Sequence, residues 1–127
     1  MALEQYRSCI EACNACADAC DHCAIACLTE HDVASMARCV ALDIDCAAIC
    51  RVAVGYMARG SELAKDICGL CARICDSCGE ECARFQMEHC KQCATACRRA
   101  AEECRRMAGD AARAPAARSS GTLSRQQ

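Results

Sequence analysis

Between residues 9 and 27 the chain reads CIEACNACADACDHCAIAC. Its six cysteines, Cys9, Cys13, Cys16, Cys20, Cys23 and Cys27, follow one another at steps of 4, 3, 4, 3 and 4. An α-helix turns once every ~3.6 residues, so alternating steps of 3 and 4 hold side chains on one stripe. A strand, whose faces alternate every second residue, cannot do this. The stripe is about 27 Å long at ~1.5 Å per residue. In heptad terms the thiols occupy the a and d positions, where a bundle helix normally carries Leu, Ile or Val.

The pattern recurs three times. Cys68, Cys71, Cys75, Cys78 and Cys82 step by 3, 4, 3 and 4; Cys90, Cys93, Cys97 and Cys104 by 3, 4 and 7; Cys39, Cys46 and Cys50 by 7 and 4. Each step of 7 skips one seam position, filled by Asp43 in one case and Ala100 in the other. All 18 cysteines therefore fall on four helical seams.

The helices are expected at about residues 2–28, 33–58, 62–84 and 88–108. Asp32 is the expected N-cap of the second and Ser61 of the third, with Gly60 and Gly109 as terminators. Short connections between long helices predict an all-α, antiparallel up-down-up-down four-helix bundle with a cysteine-lined core, residues 1–108. Residues 109–127, GDAARAPAARSSGTLSRQQ, carry no amphipathic stripe and read as a disordered tail.

Composition supports a core that is not made of hydrocarbon. Leu, Ile, Val and Phe together number only 17 in 127 residues, well short of an ordinary core. The net charge of −2 argues against a nucleic-acid partner. No run of about 18 apolar residues suggests a membrane span. The start, MALEQYRSCIEAC, does not resemble a signal peptide, so a reducing cytosolic setting is expected rather than a disulfide scaffold.

Four such seams around one axis make a tube of thiols. Cysteine as mere filler explains this poorly, because Ala, Ser or Val would fill the space without the oxidation hazard. Structural zinc favours four tetrahedral ligands, and iron–sulfur clusters compact sets of four; neither needs a straight rail. Cu(I) prefers thiolate and thioether ligands. Sulfurs bridging successive ions would bring ions and thiolates to about one to one. A zinc or mixed-metal thiolate buffer is the alternative. No constellation of a known catalytic type stands out, so an enzyme is not expected. A copper chaperone would need only one exposed C-x2-C, so the thiol number favours capacity over shuttling.

The six-cysteine rail, the sparser Cys39–Cys50 rail, the five-cysteine rail Cys68–Cys82 and the final EHCKQCATAC with Cys104 resemble the cytosolic copper storage proteins. The resemblance covers roughly residues 5–108. It implies storage of many Cu(I) ions inside the bundle, entry at one end near His or Met residues, a tetramer of bundles, and a copper chaperone as candidate partner.

The antiparallel order collects Cys27, His31, Met36, Cys39, Cys82, Met87, His89 and Cys90 at one end. Tyr6, Cys9, Met57, Cys68, Cys104 and Met107 gather at the other. Imidazole and thioether suit transient capture at a mouth, which makes His31, Met36, Met87 and His89 entry candidates. His31 reads equally as a solvated loop residue, and Met36, Met57 and Met107 equally as core plugs. Asp43 is a candidate accessory ligand, a proton host or a break in the rail; alternatively the helix rotates and turns it outward beside Asp45.

Overall fold

A computed structural model describes residues 2–109, and the expected disordered tail lies outside them apart from its first residue. Four helices form: α1, Ala2–Cys27; α2, Ala37–Ala58; α3, Ala64–Cys82; and α4, Glu88–Ala108. α1 packs on α2 and α4, and α3 packs on the same two. With short connections this is an up-down-up-down ring in which sequence neighbours are spatial neighbours.

The seams meet as the 3/4 spacing requires. Every cysteine is no more than 1% exposed, and all 18 are free thiols. Asp43 and Ala100, the two seam substitutes, are both at 0%. Around the thiols stand small residues such as Ala12, Ala47, Ala72 and Ala101, with Tyr6, Met36 and Met57 as the large buried side chains. Several aliphatic residues, among them Ile25, Leu28 and Ile44, lie outside instead. The interior is thus built of sulfur and methyl groups.

Local chemistry sets the ends. α2 closes in a Schellman arrangement: Ser61 N–H donates to Tyr56 O and Gly60 N–H to Met57 O, both at 3.0 Å. Gly60 takes the positive φ of 66° that this motif needs. On α3, Gly79 permits close approach to α4, since a Cβ there would stand 3.2 Å from the Cys97 Cβ.

Two expected boundaries shift. Val33–Met36 is a 3-10 turn, and α2 starts only at Ala37. Asp32 does not cap with its carboxylate; its carbonyl takes both the Ser35 N–H (3.3 Å) and the Ser35 hydroxyl (2.9 Å), which tightens the turn. Ser61 acts one turn before α3: its Oγ accepts from Leu63 N–H at 3.0 Å and its carbonyl from Ala64 N–H at 3.1 Å, so α3 starts at Ala64.

Candidate metal centre

The C-terminus of α1 meets the N-terminus of α4 at the end of the tube that the sequence offered as a mouth. There the sulfurs of Cys23, Cys27 and Cys90 form a triangle with sides of 3.7, 3.9 and 4.0 Å. An ion at its centre would stand about 2.2 Å from each sulfur, close to the ~2.3 Å of a zinc–thiolate bond. His89, only 12% exposed, caps the triangle: its Nδ1 is 3.5 Å from Cys23, 3.6 Å from Cys90 and 4.0 Å from Cys27. Cys39 completes a group of four thiols here, 3.9 Å from Cys27.

Below the mouth lies Asp43, turned inward, so the outward rotation considered from sequence does not occur. Its Oδ1 accepts hydrogen bonds from Cys78 (3.1 Å), Cys93 (3.2 Å) and Cys82 (3.5 Å), and Oδ2 faces Cys39 at 3.9 Å. Burial, reinforced by the Cys93 and Cys78 sulfurs, lifts its carboxyl to about 10. Cys39 and Cys82 approach to 3.4 Å beside it.

Deeper still, sulfur triangles share edges. Cys16, Cys46 and Cys97 are 3.6, 3.7 and 3.9 Å apart. Cys16, Cys20 and Cys97 share the Cys16–Cys97 edge, with further sides of 3.9 and 3.7 Å. Cys93 extends the strip, 3.6 Å from Cys20 and 3.9 Å from Cys97. Cys50, Cys71 and Cys75 form a further triangle with sides of 3.7, 3.7 and 3.9 Å, joined to the strip through Cys75–Cys46 at 3.5 Å. Cys104 ends the run, 3.5 Å from Cys13 and 3.6 Å from Cys9, with Cys68 buried nearby. Tyr6, Ala53, Met57 and Ala64, all buried, close this far end.

Such a strip suits soft monovalent ions. Cys16, Cys20 and Cys97 each belong to more than one three-sulfur face, so bridging there needs no new backbone position. Four-sulfur groups exist as well, such as Cys16, Cys46, Cys50 and Cys75. Burial opposes thiolate formation at Cys90, pushed up to about 11, and at Cys27, whereas hydrogen bonds from Cys23 and Cys82 pull Cys39 down to about 3. A metal ion bound there would take the place of thiol protons.

The other accessory candidates fall unevenly. Met36 is buried in the core beside the mouth end of α2. Met87 and Met107 are half-buried. His31 lies exposed in the turn and, among the described residues, no hydrogen bond joins it to a thiol. Two residues escaped the sequence reading. Glu30 accepts a hydrogen bond from His89 Nε2 at 2.7 Å. Glu81, 5% exposed, is paired by Arg84 at 2.7 Å and Arg38 at 3.4 Å. Neither carries a spacing signal that would have exposed it.

A closed four-helix bundle with an edge-sharing array of buried thiols and an imidazole at its mouth defines a metal-storing class of protein. The chain belongs to the copper storage protein family, whose family model matches residues 2–109. It is similar to the uncharacterized cysteine-rich protein YhjQ of Bacillus subtilis, 48% identical over 88 residues, 68% of this chain and 82% of that protein. Its fold is similar to the Cu(I)-bound copper storage protein BsCsp3 (46% identical, TM-score 0.79, covering 82% of this chain and 98% of the other). It is also similar to a cytosolic copper storage protein from Streptomyces lividans carrying five coppers (37% identical, TM-score 0.80, covering 84% and 94%).

Proposed function

We propose that this chain stores and sequesters multiple Cu(I) ions as thiolates inside the bundle, with all 18 cysteines as ligands. The observation that carries this reading is the array of buried sulfur triangles with edges of 3.6–4.0 Å between His89 and Cys104, sharing edges among Cys16, Cys20, Cys46, Cys93 and Cys97. Entry is at the His89 end, with Met36 and Met87 as accessory donors; Asp43 interrupts the rail as an oxygen. His31 is the weakest of the entry candidates, given its exposure.

The cytosol is the assigned compartment. This is supported by the description of the Streptomyces relative as cytosolic and by 18 free thiols; among the described residues no helix is long and apolar enough to cross a membrane. The protein acts as a store and not as an enzyme. Residues 1–108 form the copper-binding unit, so truncation after Gly109 is expected to leave capacity intact. A homotetramer is the proposed assembly, and the exposed Ile25, Leu28 and Ile44 are available for contact between copies; sedimentation of the reduced protein tests it.

The deciding experiment is anaerobic titration of the reduced protein with Cu(I) against a competing chelator. A ratio to thiols near one is expected. Saturation at one or two ions would sink storage. Zn(II) serves as the control, since tetrahedral zinc would need two to four thiolates per ion.

A further inference from the structure

We propose that Glu30 is a positioning residue for copper entry: its carboxylate holds the Nε2–H of His89, leaving Nδ1 as the nitrogen presented to Cys23, Cys27 and Cys90. The proposal rests on the reading that copper enters at this end.

The geometry is two-sided. His89 Nε2 donates to Glu30 Oε2 at 2.7 Å, while Nδ1 faces three sulfurs at 3.5–4.0 Å. A neutral imidazole has one donor and one acceptor nitrogen, and a carboxylate can only accept. With the proton committed to Nε2, the Nδ1 lone pair is the free one. A ring flip would exchange Nδ1 for a carbon and break the bond to Glu30, so the same contact sets both tautomer and orientation. This is how carboxylates commonly orient ligating imidazoles.

Glu30 is itself anchored where the task requires. Its backbone N–H donates to Cys27 O at 3.2 Å, so the residue that orients the imidazole is tied to the helix end that carries one of the receiving thiols. Thr29 fastens the same turn through its hydroxyl to Ala26 O at 2.8 Å. The bond from Glu30 to His89 spans the gap between α1 and α4, and both side chains remain partly accessible, at 30% and 12%. A donor complex can therefore reach the imidazole.

The step is a ligand exchange without redox change. Nδ1 donates its lone pair to Cu(I) as the incoming donor lets go. A thiol of the triangle then exchanges its S–H bond for S–Cu, its proton leaves to solvent, and Nδ1 is freed. Nε2 keeps its proton throughout.

The test uses the full reduced chain and its Glu30→Ala, Glu30→Gln, His89→Ala and Glu30→Ala/His89→Ala variants, each matched to the parent by circular dichroism. Stopped-flow transfer from a Cu(I)–bicinchoninate complex gives the rate, and imidazole 15N shifts give the tautomer. Glu30→Ala is expected to slow the first phase about tenfold, within the range typical of such partners. Glu30→Gln, whose amide oxygen still accepts from Nε2, should recover most of the rate. The double variant should be no slower than His89→Ala alone, and stoichiometry should not change. The parent and Glu30→Gln should show Nε2 protonated and Nδ1 bare, with a mixture in Glu30→Ala. An unchanged 15N pattern in Glu30→Ala, or slowing by Glu30→Ala that persists without His89, overturns the proposal. If His89→Ala transfers at the parental rate, entry at this end fails, and the role of Glu30 in transfer falls with it; a deficit in titrated capacity would instead count against storage itself.

Discussion

The Cys78 thiol donates to Asp43 Oδ1 at 3.1 Å in a fully buried position, so an oxygen stands where the rail would otherwise carry sulfur. The Asp43 carboxyl, raised to about 10 in the folded protein from an ordinary value of 3.8, keeps its proton long after the unfolded chain has lost it. The stability linked to this group is complete below the unfolded value and is lost as pH climbs toward the folded one. The slope approaches ~1.4 kcal/mol per pH unit in between. Metal-free Asp43→Asn should therefore gain on the parent by about 3 kcal/mol between pH 5 and 7.5. Denaturant unfolding at the two pH values measures this; parallel pH profiles would show that Asp43 folds with its charge intact.

The two ends of the tube should respond differently to mutation. His89→Ala with Met36→Ala should slow copper transfer from a chelate several-fold while leaving capacity almost unchanged. Met57→Ala at the far end removes a fully buried side chain and should cost about 2–4 kcal/mol of stability. Its effect on transfer, and that of Met107→Ala, should be smaller. Stopped-flow traces and urea unfolding of the same variants separate the two outcomes. Equal slowing from both ends would mean that ions enter at both.

The helices end on their own signals, such as the Gly60 Schellman motif, rather than on any ion. The reduced metal-free protein should consequently be strongly helical by circular dichroism. Copper should raise the melting temperature through binding to the native state, without adding much helix. An apo protein that folds only with metal would instead behave like a small zinc domain.

Burial at Cys27 and Cys90 sets the proton balance of loading. Both are pushed upward, Cys90 to about 11, so at pH 7.5 they enter as thiols. The first Cu(I) ions should each release close to one proton, and their apparent affinity should fall up to about tenfold per pH unit as the solution is acidified. Proton release in weakly buffered solution, followed with an indicator dye during titration, measures it. No release would mean that the mouth thiols are already ionised.

What the sequence could determine is what helical periodicity alone determines. Steps of 3 and 4 put every thiol on a seam whatever the seam faces, and the two steps of 7 located Asp43 and Ala100 there as well. The four-helix count follows from that local rule; short connections, which make the helices antiparallel and bring the four seams onto one axis, add the burial of the cysteines and the two-ended sorting of His and Met residues. The tertiary structure decided which sulfurs meet. The Cys16–Cys97 and Cys20–Cys93 edges depend on how far each helix is rotated and shifted against its neighbours, and packing around residues such as Gly79 sets that. The same holds for Glu30, which sits in a turn with no period to reveal it and acquires a partner only when the end of α1 is brought against the start of α4. Periodicity says which way a side chain faces along its own helix; distances between helices are a property of the packed core, and the geometry of the mouth is made of those distances.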